Sequence, residues 1–126
     1  MYSLDFEQLS DGQPQLIVLY VLRHVICQPG RLVVFDEPGL VGGLRPDLEL
    51  TPDGVIDLLS GALASVQDRA LSGVHCCGVA DWRLVLQAGP DVLSAPVGAG
   101  LTPYAASLSG FLERGGWIAW GAVATN

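Results

Sequence analysis

The run Val74-His75-Cys76-Cys77-Gly78 sets an imidazole and a thiol two residues apart at the end of an apolar segment. On extended backbone, successive side chains alternate between faces, so His75 and Cys77 share one side and Cys76 takes the other. Nitrogen and sulfur donors suit zinc, which takes four protein ligands in structural sites and three plus an exchangeable position in catalytic ones. His75 and Cys77 are then half of a metal site. Without a metal they are a buried imidazole and thiol, since reduced cysteine packs as a small hydrophobe. Two other polar points close apolar runs: Asp36-Glu37 and Asn126.

These residues depend on the elements that carry them. Gln15 to Gln28 reads as a helix ended by Pro29-Gly30, although its β-branched content leaves a strand open. Arg31 to Asp36 is a short β-branched run of the kind found in strands buried on both faces. Gly39 to Leu50 is a loop rich in Gly and Pro. Thr51-Pro52-Asp53 then supplies an N-cap, a proline at the first helical position and an acid in the first turn. Val55, Ile56, Leu58, Leu59, Ala62, Leu63 and Val66 follow at helical spacing. A second strand covers about Leu71 to Cys76, and a short helix runs from Ala80 to Gln87. A third strand is Asp91 to Ala95. Thr102-Pro103 opens a helix over Tyr104 to Glu113 with Gly115-Gly116 as its C-cap, and Trp117 to Val123 is the fourth strand.

This alternation is that of an α/β protein with a parallel sheet. Four strands make a partial TIM-type (βα) barrel, whose complete form has eight and carries its chemistry at the C-terminal strand ends. Asp36-Glu37, His75-Cys76-Cys77 and Asn126 all fall at such ends. A half of this kind exposes two edges and one apolar sheet face, so either a second copy completes it, as a homodimer, or the sequence is a piece of something longer; the homodimer is the expectation.

Composition narrows the partners. The chain has 126 residues, half of them apolar, with 16 glycines and 8 prolines, and reads as a single domain. Its net charge is −7, and all six basic residues are arginines, scattered singly at Arg23, Arg31, Arg45, Arg69, Arg83 and Arg114. No stripe tracks a phosphate backbone, so no nucleic acid partner is expected. Three cysteines, two of them adjacent, suit reduced thiols in a cytoplasmic protein better than a disulfide framework. The apolar run Leu16 to Cys27 carries Arg23 and His24 and falls short of the roughly 20 residues a spanning helix needs. No membrane partner is expected either.

Two motifs resemble one family. Val33-Val34-Phe35-Asp36-Glu37-Pro38-Gly39-Leu40 resembles the I-D-E-P-A-L strand end of cobalamin-independent methionine synthase. Val74-His75-Cys76-Cys77 is similar to that family's H-x-C zinc pair, in the same order. The stretch Gly116 to Val123 resembles a late strand of the wider superfamily that includes uroporphyrinogen decarboxylase and the methylcobalamin:thiol methyltransferases. The resemblance spans Leu32 to Asn126. It implies a partial barrel over residues 1–126 that corresponds to the C-terminal half of a methionine synthase-like barrel.

The activity implied is zinc-dependent methyl transfer to a small-molecule thiol such as homocysteine. By the same resemblance His75 and Cys77 are zinc ligands, and Asp36 holds the substrate's ammonium group. The chain also departs from the family. A family glutamate falls where this chain has Val92-Leu93-Ser94-Ala95-Pro96-Val97. A second ligand cysteine follows a later strand than the four read here, and a family histidine falls near Asn126. Two zinc ligands are therefore expected, an incomplete set. The alternatives are a non-catalytic, self-associating half-barrel that binds a small molecule, and a decarboxylase-like member of the superfamily. Trp82, Trp117 and Trp120 are expected to pack.

Overall fold

The computed structural model describes residues 28–36 and 51–122. The expected helix from Gln15 lies outside them except for Gln28, as do the loop from Gly39 to Leu50, Glu37 and Asn126. Strand β1 is Leu32–Asp36. Helix α1, Pro52–Gln67, starts where the cap residues say it should, with the Thr51 hydroxyl accepting from the Gly54 N–H at 3.1 Å. Its buried side chains are Val55, Leu59, Leu63 and Val66, a stripe at spacings of four and three. Each such burial contributes about 1.5–3 kcal/mol relative to exposure. Leu58, also expected at an apolar position, stands off that stripe and is exposed.

Strand β2 is Leu71–His75, and helix α2 is Trp82–Gln87, capped by the Asp81 carboxylate on the Arg83 N–H. Strand β3 is Val92–Pro96. One 3-10 turn, Thr102–Tyr104, leads into helix α3, Ala105–Glu113. At its end Gly115 takes φ 90°, and the N–H groups of Gly115 and Gly116 return to the carbonyls of Leu112 and Phe111. That is a Schellman ending, and it needs a residue free of the Cβ penalty at the left-handed position. Strand β4 is Trp117–Gly121.

The four strands form one sheet in the order β1-β2-β3-β4, every pair parallel, alternating with helices. This is the expected α/β alternation, consistent with part of a (βα) barrel. Each crossover steps to the same side, so right-handed connections carry all three helices to one face. On that face Val74, Leu93 and Ala95 are fully buried against Val55, Leu63, Trp82, Val85 and Phe111. The other face is uncovered among the described residues. Leu32, Val34, Leu71 and Trp117 point to it and are 48%, 43%, 52% and 72% exposed. Strand β1 was expected to be buried on both faces; it is buried on one, because nothing described packs on the second. Trp82 packs as expected, whereas Trp117 and Trp120 are exposed.

A polar clamp ties the sheet together at the end opposite the strand tips. The Asp91 carboxylate accepts from the Ser72 N–H at 2.8 Å and from the Ser72 hydroxyl at 3.1 Å. Gln67 Nε2 donates to Ser72 Oγ and to the Gly89 carbonyl, both at 2.8 Å. Asp91 N–H donates to the Ser72 carbonyl, and Trp117 N–H to the Asp91 carbonyl, each at 2.9 Å. One residue therefore joins β2, β3 and β4. Ser72 is fully buried, so its N–H depends on that carboxylate.

Replacing Asp91 by Ala should destabilise the fold by about 1–3 kcal/mol, the cost of a buried donor left without a partner, read as a shift of the denaturant midpoint. Gly116→Ala should cost a similar amount, about 1–3 kcal/mol for overpacking, because its Cβ would overlap the buried Phe111 ring.

Candidate functional site

Register decides which side chains meet at the strand tips. Asp36 pairs with His75 across β1 and β2, and His75 with Ser94 across β2 and β3. In-register residues of parallel strands share a face, so Asp36, His75 and Ser94 form a row on the uncovered face at its C-terminal end. Cys76 turns the other way into the core, where it is 3% exposed. Period-two alternation assigns Cys77 to the side of His75, and the contact between them bears this out.

The imidazole is held from both sides. His75 Nδ1 lies 2.9 Å from Ser94 Oγ, and Nε2 lies 3.2 Å from Cys77 Sγ. In the tautomer protonated at Nδ1, that N–H donates to Ser94 and the Nε2 lone pair faces the thiol. An outer partner on one ring nitrogen that leaves the other available is how metal-binding histidines are oriented. The spacing also fits. Zinc bonds of about 2.0–2.1 Å to nitrogen and 2.3 Å to sulfur, at a tetrahedral angle, put the two donors about 3.5 Å apart. Small torsional adjustments on two partly exposed side chains close the difference.

A full ligand set is a different matter. Among the described residues, no three of His, Cys, Asp and Glu stand close enough to hold one ion. Asp36 shares the row with His75 but does not complete a triad of donors. Two donors fit zinc and a third is not present among these residues. Beside Cys77 opens a cavity of about 420 Å³ whose lining includes Ala80, Trp82, Pro96, Gly98 and Tyr104. Its size is that of a small-molecule pocket, and it lies between the loops that leave β2 and β3.

No protein-family model, no curated protein and no solved structure matches this chain. What it does must be argued from the site.

Of the expected site residues, the structure brings His75 and Cys77 into contact and sets Asp36 one strand away, exposed at the same rim. Ser94 was not foreseen as part of the site. Its signal was present: a lone hydroxyl in the apolar run Val92 to Pro96. Only the register of β2 against β3 shows that it meets His75. Ser94→Ala should leave the fold intact and, if the His75–Cys77 pair holds zinc, weaken that binding about 10–100-fold, measured by competition against a chromophoric chelator.

Proposed function

We propose that this chain is the zinc- and thiol-binding portion of a methionine synthase-like barrel, serving methyl transfer to a small-molecule thiol. The observation that carries this reading is the His75–Cys77 pair, 3.2 Å apart and braced by Ser94 at a parallel strand tip. The resemblance of the Asp36 and His75 strand ends to that family supports it. Zinc, when bound, would stabilise a substrate thiolate at neutral pH.

The chain's own residues have separate tasks. His75 and Cys77 supply donors, and Ser94 fixes the ring. Asp36, an exposed carboxylate one strand over, faces the rim where the ammonium group of an amino-acid thiol would sit. The cavity beside Cys77 accommodates the carbon skeleton. Reduced thiols suit a reducing compartment, which favours the cytoplasm. No helix among the described residues is long and apolar enough to cross a membrane.

Metal analysis of the purified protein tests the reading. Zinc should copurify with the wild type and fall at least tenfold in His75→Ala and in Cys77→Ser, with circular dichroism unchanged. A wild type that neither retains nor takes up zinc would overturn it. Asp36→Asn should keep the zinc and raise the KM for an amino-acid thiol about tenfold, the scale of one charge-assisted hydrogen bond.

A further inference from the structure

The contacts of His75 and Cys77 are also those of an activated nucleophile: a thiol, a base touching it, and a third group that orients the base. Cys77 is exposed, and its Sγ lies 3.2 Å from His75 Nε2. Across the ring, Nδ1 lies 2.9 Å from Ser94 Oγ. One tautomer serves both contacts. With the Nδ1 N–H donating to Ser94, the Nε2 lone pair accepts from the thiol. Cys76, its neighbour in the chain, is 3% exposed and faces the core, so only one of the two adjacent thiols is open to a reagent.

A nucleophile needs room for its substrate, and the cavity of about 420 Å³ has Cys77 in its own lining. Val79, Ala80, Trp82, Pro96, Ala99 and Tyr104 also line it, and none of its lining residues carries a charge. It opens between the loops that leave β2 and β3, the end of a parallel sheet at which such folds bind ligands. Walls of this kind take a small uncharged group, a short acyl chain or an aromatic ring. A charged group would lose its water there without gaining a partner.

We propose that Cys77 is the nucleophile and His75 the general base of an acyl-transfer site for esters or thioesters with a small uncharged acyl group, Ser94 being a positioning residue. His75 Nε2 takes the thiol proton as Cys77 Sγ bonds to the carbonyl carbon. The bond from that carbon to the leaving oxygen or sulfur breaks, and the leaving group takes the proton from His75. Water then attacks the thioester on Cys77 and gives a proton to His75. The carbon–Sγ bond breaks, the acid departs, and the proton returns to Sγ. The net change is ester plus water to acid plus alcohol, or to acid plus thiol from a thioester. This activity goes beyond the zinc reading and does not rest on it.

The test is the full chain, treated with chelator, mixed with p-nitrophenyl acetate and p-nitrophenyl butyrate. The expected result is a burst of p-nitrophenol equal to the protein, followed by steady release of acid. Peptide mapping of the quenched burst should place the acyl group on Cys77, and Cys77→Ala should remove it. His75→Gln should slow the burst about 100-fold, the scale of general-base catalysis, with circular dichroism and the denaturant midpoint unchanged. Ser94→Ala should slow it about fivefold, the scale of one hydrogen bond, and Ser94→Thr should restore it.

The wild type alone can overturn the proposal, by acylating Cys77 no faster than N-acetylcysteine reacts under the same conditions. A folded His75→Gln that bursts at the wild-type rate would overturn it too, as would an acyl group that stays on Cys77 without release. Each of these outcomes leaves the zinc reading standing. A wild type that takes up no zinc but shows the burst would overturn the zinc reading alone.

Discussion

The Asp91 carboxylate on Ser72 is the interaction on which the site depends, although it lies at the other end of the sheet. It receives the N–H and the hydroxyl of a fully buried residue, and so locks β2 and β3 at one relative height. From that clamp the ladder runs through Gly73 with Val92 and Val74 with Leu93 to His75 with Ser94. A slip of one residue would turn every side chain of one strand to the opposite face. His75 would then meet a core position, and Cys76 would face the rim in its place. The bond that holds the fold and the bond that orients the imidazole are two ends of one register.

The same topology that builds the core leaves a face open. Right-handed crossovers that all step one way put α1, α2 and α3 on one side of the sheet, where Trp82, Leu63 and Leu93 are sealed from water. Among the described residues, the opposite side keeps Leu and Val at interior-like positions with no helix to cover them. Gly73 shows how the face partly relieves this: the side chains of Val34 and Leu32 lean to within 3.3 and 3.4 Å of where its Cβ would be. That local collapse buries Gly73 but cannot bury Trp117 at the far strand.

As the zinc centre proposed above, the site is half-built in a specific sense. Its orientation is complete, with a hydroxyl on one ring nitrogen and a thiol at the other, yet its donor count is not. Orientation of a ligand histidine comes from outer partners, and coordination number comes from how many donors converge. These are separable, and here only the first is satisfied among the described residues. The cavity beside Cys77 adds room for a small molecule without adding a donor.

Much of the fold was legible in the chain. The Thr51 cap, the stripe from Val55 to Val66, the Gly115-Gly116 ending and the four strands follow from short-range rules: hydrogen bonds to helix ends, and the two periods of helix and strand. The same local rule put His75 and Cys77 on one side and Cys76 on the other. Tertiary structure alone decided what those side chains meet. Ser94 became the partner of His75 through the register of two strands, set by a carboxylate remote from both. Leu32, Val34 and Trp117 proved exposed because burial depends on what packs above a residue, and apolar character does not name its cover. Local propensity acts over a few residues of chain, whereas contact across a sheet is fixed by crossovers many residues long. The sequence determined that His75 and Cys77 share one side, and the folded sheet decided where that pair stands and which face it shares.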